Sequence, residues 1–179
     1  MKKCLFLDRD GVINIDKGYV HEPQQFELIK GIKKLLRAFK ENGFLLIIVT
    51  NQSGIGRGFY SEKNFLKFTS WMREQLEDLI DEVYFCPNHP TYGLGNYKKE
   101  CSDRKPSPGM FIKAGKDFKI DFSESVMIGD NFSDLDAANK VGINKLYLFN
   151  NSETKTRQYD YKRITSLNII TRDCIKKNI

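Results

Sequence analysis

Phe44-Leu45-Leu46-Ile47-Ile48-Val49, followed at once by Thr50-Asn51-Gln52-Ser53-Gly54, decides the fold. The first half is apolar throughout, as expected of a strand covered on both faces in a parallel sheet. The second half is a polar, glycine-containing loop. Upstream, Gly31 to Glu41 (GIKKLLRAFKE) sets Ile32, Leu35, Leu36 and Phe39 at helical spacing, and Asn42-Gly43 stops the helix. Further back, Lys3 to Leu7 reads as a buried strand running into the loop Asp8-Arg9-Asp10-Gly11. Downstream, Ser61 to Leu79 predicts a helix capped by Ser61, with Phe65, Phe68, Met72, Leu76 and Leu79 on one face. Val83 to Phe85 is a short strand, and Cys86 to Ser107 is a loop rich in Pro, Gly, Asn and Lys. Pro108 to Phe118 is a helix, Ser125 to Ile128 a strand ending in Gly129-Asp130, Asp134 to Val141 a helix and Lys145 to Phe149 a strand. Ser166 to Lys176 is expected to close the chain as a helix.

Strand alternating with helix predicts an α/β fold, a doubly wound and mostly parallel sheet. The 179 residues suit one domain over 1–179, with its motifs in 3–150 and a basic C-terminal segment in 151–179. With 40% hydrophobic and 29% charged residues the composition is globular, not disordered. The net charge of +6 favours an anionic partner, which a nucleic acid, an acidic membrane or a phosphorylated metabolite would satisfy. A solvated lysine-rich face explains it equally well. No apolar stretch approaches the about 18 residues of a membrane span, and the N-terminal apolar run, cut by Asp8, is too short for a signal peptide. A cytoplasmic location is the expectation. The cysteines at 4, 86, 101 and 174 are too scattered for a disulfide framework and read as free thiols or metal ligands.

Ligands of doubly wound sheets sit beyond the carboxyl ends of the strands. Asp8, Thr50 and Asp130 each follow such an end, and Lys105 lies in a loop after another. Asp8 and Asp10, two residues apart, cannot both ionise cheaply without a cation nearby, and Asp130 adds a third carboxylate. An all-oxygen set of this kind suits Mg²⁺. Thr50 offers a hydroxyl, its loop offers N–H donors, and Lys105 offers a cation for phosphoryl oxygens. Each signal alone has a plainer explanation: a turn at Asp8–Gly11, a strand-terminal turn at Thr50, a solvated loop at Lys105, a helix cap at Asp134. Their joint order is what one phosphoryl-transfer site requires.

These motifs resemble those of the haloacid dehalogenase superfamily: Asp8-Arg9-Asp10-Gly11 as DxDG, then Thr50, then Lys105, then Gly129-Asp130 with Asp134. The strings FLDRDGVIN (6–14), GYVHEP (18–23), VTNQSGIGRG (49–58) and RKPSPGM (104–110) resemble the D-glycero-D-manno-heptose 1,7-bisphosphate phosphatases, with the histidinol-phosphate phosphatases as close relatives. The resemblance implies a Rossmann-like fold without a large cap. It makes Asp8 the nucleophile, Asp10 the acid and base, and Thr50 and Lys105 the grips on the phosphoryl group. It assigns Mg²⁺ to the Asp8 side chain, the Asp10 backbone carbonyl and Asp130. It assigns substrate contact to Asn51, Gln52, Ser53 and Arg104, substrate entry to Asp16, Lys17, Gly18 and Tyr19, and a further contact to Asn131. It implies hydrolysis of a heptose bisphosphate during lipopolysaccharide or other heptose-glycan precursor synthesis. Histidinol phosphate is the alternative substrate, and a DNA 3′-phosphatase or a non-enzymatic phosphosugar sensor ranks below both. The expected partner is a small phosphorylated metabolite, with no membrane or nucleic acid, and the chain is expected to act as a monomer.

Family members also carry a structural zinc on Cys-x-His and Cys-x-Cys. Here Asn88 stands for the His and Asp103 for the last Cys, leaving Cys86 and Cys101. A set of Cys86, His89, Cys101 and Asp103 would need a shifted loop, and zinc is not the expectation.

Overall fold

The computed structural model describes residues 1–175 of the chain. The apolar run becomes strand β2 (Leu45–Asn51), buried from Leu46 to Thr50. The strand period of two sends Leu46 and Ile48 to one face, with Leu5, Leu7, Val126 and Ile128. Ile47 and Val49 go to the other, with Cys4, Phe6 and Met127. Both faces are therefore core, which is why no polar alternation interrupts the run.

Strands β1 (Cys4–Leu7), β3 (Glu82–Cys86), β4 (Val126–Gly129), β5 (Lys145–Phe149) and β6 (Lys162–Ile164) complete a six-stranded sheet in the order β3-β2-β1-β4-β5-β6. Every pairing is parallel. One face is covered by α1 (Ile32–Glu41) and α3 (Glu62–Gln75) through Leu35, Leu36, Phe39 and Met72, and by Ile170 of α6 (Asn168–Cys174). The other is covered by α4 (Gly109–Phe118) and α5 (Phe132–Asn139) through Phe111, Ala114, Leu135 and Ala138. The strand order reverses between β1 and β4, which opens a crevice at their carboxyl ends.

Several boundaries differ from the sequence expectation. Thr50 and Asn51 belong to β2 because both pair in register with β3, at Phe85 and Cys86. Helix α3 ends at Gln75, four residues short of Leu79, where Glu77 and Asp78 turn through positive φ of 60° and 51°. Helix α5 starts at Phe132 because Asn131 caps it, not Asp134 alone. A short helix α2 (Ser53–Gly56) occupies the expected loop after β2. Strand β6 has no counterpart in the sequence expectation. The closing helix spans Asn168–Cys174, and its expected end at Lys176 lies outside the described residues. Among the described residues no helix is long and apolar enough to cross a membrane.

Candidate active site

Parallel strands deliver their following residues to one edge of the sheet, and the chemistry gathers there. Asp8 directly follows β1 and is tied to the neighbouring strand by its backbone N–H, which donates to the Ile128 carbonyl at 3.0 Å. Asp130 directly follows β4. Gly11 adopts φ +83°, and a Cβ there would meet Asp130 Oδ2 at 2.1 Å. Only glycine lets the loop that carries Asp10 pass so close to Asp130.

Lys105 is buried, and all three of its ammonium donors have partners. Nζ lies 3.0 Å from Asp8 Oδ1 and 2.6 Å from Asp134 Oδ1, and donates to the Val49 carbonyl at 2.7 Å. In this state Lys105 binds carboxylates, and contact with any further anion would have to replace one of these bonds. Burial works against the ammonium, but Asp134 and Asp8 outweigh it and hold its pKa above the usual lysine range. Asn51 fixes this lysine by its backbone: its amide donates to the Lys105 carbonyl and accepts from the Lys105 N–H, both at 3.1 Å. The asparagine expected at substrate thus also positions Lys105.

Asp10 is held from three directions. Arg9 Nη2 donates to Asp10 Oδ2 at 2.8 Å, Asn14 Nδ2 to Oδ1 at 3.0 Å and Gln52 Nε2 to Oδ2 at 3.1 Å. Arg9 is fully buried, donates also to the Val20 carbonyl at 2.6 Å, and rests over the Phe65 and Phe68 rings. Nothing in the sequence separated this arginine from a surface one. Its partners lie on α3 and the 10–30 segment, which only folding brings together.

Asp8, Asp130 and Asp134 each place a carboxylate oxygen within 4.8 Å of the others. Burial pushes Asp8 up to about 7, against Lys105 and with help from Asp134 and Asp10. Burial, then Asp8 and Asp134, pushes Asp130 up to about 8. Two carboxylates that resist ionisation beside each other are a fitting seat for a divalent cation. Asp134 is committed elsewhere, with Oδ1 on Lys105 and Oδ2 accepting the Asn131 N–H at 3.0 Å. Asp8 Oδ1 is also engaged, by Lys105 and by the Arg9 N–H at 2.7 Å, so Asp8 Oδ2 and the Asp130 carboxylate are the oxygens left to ligate.

A cleft of about 660 Å³ opens over these groups. It is lined by the sequence candidates Asp8, Asp10, Asp16, Gly18, Tyr19, Thr50, Asn51, Gln52, Ser53, Arg104, Lys105, Asp130 and Asn131, and also by Tyr60, Pro106, Ser133 and Asp134. Lys17 is the exception. It pairs with Glu27 at 2.9 Å on the surface, beside the lining residues Asp16 and Gly18. Asn131 spends its side-chain oxygen on the Ser133 N–H at 3.0 Å, as a helix cap.

The loop around Cys86 and Cys101 does not gather a zinc donor set. His89 Nδ1 accepts from the Thr91 and Tyr92 N–H groups at 3.2 and 3.1 Å, and Asp103 pairs with Lys113. The acidic trio is the one group of three or more potential ligands brought together among the described residues.

The HAD-hydrolase-like family model matches residues 102–164. The D-glycero-beta-D-manno-heptose-1,7-bisphosphate 7-phosphatase of Vibrio cholerae serotype O1 is 44% identical over 160 residues, 88% of this chain and 86% of that protein. This chain belongs to the heptose-1,7-bisphosphate 7-phosphatase family. It is a phosphatase. The alpha-anomer member of the family from Burkholderia mallei is 49% identical over 144 residues, covering 79% of this chain and 76% of its own. The fold agrees: a D,D-heptose 1,7-bisphosphate phosphatase from B. bronchiseptica, solved with magnesium and phosphate, superposes with a TM-score of 0.82. It is 23% identical and covers 96% of this chain and 97% of its own.

Proposed function

We propose that this phosphatase removes the 7-phosphate of D-glycero-D-manno-heptose 1,7-bisphosphate, within ADP- or GDP-heptose precursor synthesis in the cytoplasm. The observation that carries the reading is the 44% identity, over most of both chains, to a relative bearing that name. The cleft supports it, because the nucleophile, acid, cation and metal seat of one phosphoryl transfer all line it or lie at its floor.

Asp8 attacks phosphorus, and its new P–O bond forms as the bond to the sugar oxygen breaks. Asp10 gives its proton to the departing alkoxide. It then takes a proton from water, which attacks the phosphoaspartate and frees Asp8 and inorganic phosphate. Thr50 and the backbone N–H groups after β2 hold the phosphoryl oxygens. Asp8, Asp130 and the Asp10 carbonyl would hold Mg²⁺, which neutralises phosphate charge and lets two anions meet.

The metal seat makes stability depend on pH. Between 3.8, the ordinary carboxyl value, and the folded values of about 7 and 8, the folded chain keeps protons that the unfolded chain has lost. Stability conferred by these protons is present below pH 4 and declines as pH rises to 8. Mg²⁺ competes with the same protons. At 100-fold above its Kd, Mg²⁺ adds about 2.7 kcal/mol at pH 8, raising Tm by about 5–10 °C. At pH 5 the same concentration should give almost no shift, because both carboxyls hold their protons. Equal shifts at both pH values, read by thermal melts with and without chelator, contradict the assignment.

The substrate is tested by phosphate release with Mg²⁺, comparing both anomers of heptose 1,7-bisphosphate with histidinol phosphate. We expect kcat/KM to favour a bisphosphate by about 100-fold, equivalent to about 2.7 kcal/mol of transition-state binding. Preference for histidinol phosphate overturns the sugar assignment.

A further inference from the structure

Tyr60 is a residue of the cleft that the mechanism has not used. Its phenol is buried and donates to Gln52 Oε1 at 2.6 Å. The other end of the same amide, Gln52 Nε2, donates to Asp10 Oδ2 at 3.1 Å and to Thr50 Oγ1 at 2.9 Å. Gln52 is itself buried, and these are its side-chain bonds among the described residues.

An amide has one accepting end and one donating end, and the two can exchange by rotation. With the nitrogen inward, Gln52 supports the Asp10 carboxylate. It also fills an acceptor site on Thr50, which leaves the hydroxyl proton free for a phosphoryl oxygen. With the oxygen inward, a carbonyl faces the Asp10 carboxylate and the Thr50 hydroxyl turns to donate to Gln52. The chemistry needs the first state. The Asp10 carboxylate, an acceptor only, selects that state, and the Tyr60 hydroxyl, donating to the outer oxygen, holds the amide in place for it.

The surroundings hold Tyr60 in place for that bond. His21 stacks on its ring, with centroids 4.5 Å apart and planes at 11°. On another side lies Gly54, where a Cβ would meet the ring at 2.4 Å and its oxygen at 2.8 Å. A side chain at 54 would push the phenol off Gln52. Burial pushes the Tyr60 pKa up to about 12, so the phenol keeps its proton at working pH.

From this geometry we infer that Tyr60 is a positioning residue that sets the Gln52 amide, and through it Asp10 and Thr50, for phosphoryl transfer. The inference rests on the acid role proposed for Asp10, and the test separates the two.

Tyr60→Phe removes the hydroxyl and keeps the ring, so folding is preserved. It is compared with wild type on two substrates. One is the alkyl phosphate that the enzyme prefers, heptose bisphosphate or histidinol phosphate, whose leaving oxygen needs a proton. The other is p-nitrophenyl phosphate, whose leaving group departs as a stable anion. kcat/KM reports the step in which the leaving group departs. Since a general acid contributes 10²–10⁴-fold, its partial misplacement is expected to cost about 10-fold more on the alkyl phosphate than on the aryl one. General structural damage would lower both alike. Equal losses on the two substrates, or no loss on either, overturn the inference. Asp10→Asn serves as the reference. If it shows the leaving-group dependence and Tyr60→Phe does not, only the inference falls. If Asp10→Asn lacks it, the acid assignment falls and the inference with it. A second route is the cycle with Gln52→Met, in which Tyr60→Phe should add no further loss. Additive losses overturn the coupling.

Discussion

Asp8→Asn lowers kcat by about 10⁴- to 10⁶-fold, as removal of a covalent nucleophile does elsewhere. The side chain keeps its shape, so KM for the sugar phosphate changes little. Stability gives a second reading. Asp8 is a carboxyl that burial already resists ionising, with Asp134 and Asp10 adding to the strain. Lys105 keeps Asp134 at 2.6 Å and the Val49 carbonyl at 2.7 Å after the change. The metal-free variant should therefore melt at or above the wild-type temperature at pH 8. Activity within 10-fold of wild type rules out covalent catalysis by Asp8. A lower melting temperature with lost activity means that the charge was structural.

Lys105→Met has the second largest effect, and it strikes fold and chemistry together. The buried ammonium is the countercharge between Asp8 and Asp134. Removing one partner of a buried ion pair costs about 3–5 kcal/mol, because the charge left behind has no compensation. Asp8 can escape part of that cost by taking up a proton. With Lys105 gone its pKa rises further, so the loss is small at pH 5 and grows towards pH 8. Urea unfolding of the metal-free variant at the two pH values measures this. The rate at pH 8 should fall by about 10²- to 10³-fold, the usual cost of one electrostatic contact to the transition state. A stability loss below about 1 kcal/mol at pH 8, or one equal at both pH values, shows that the ammonium is not the countercharge.

The long apolar run of β2 was legible because both of its faces are core, so no polar residue interrupts it. β6 was not. It is three residues long, reads Lys-Arg-Ile, exposes its first two residues and pairs with β5 alone. An edge strand of that length carries no periodicity to read. The tail that contains it nonetheless reaches the site, since Asn151 donates to the Asp130 carbonyl at 2.6 Å. That contact spans 21 residues, one helix and one strand, and no local pattern announces it.

By itself the sequence determined the α/β class, the order of the first five strands with their intervening helices, and which residue types stand at Asp8, Asp10, Thr50, Lys105 and Asp130. These follow from local facts: apolar periodicity, strand ends and residue type. The tertiary structure decided the rest. It placed Asn51 on the backbone of Lys105, buried Arg9 against Asp10, turned Lys17 out to Glu27 and set Tyr60 on Gln52. It also left the loop of Cys86 and Cys101 without a gathered donor set. The physical reason is the same in each case. A side chain's partner is chosen by distance and burial in the packed crevice, and parallel strands bring together groups that lie far apart in the chain.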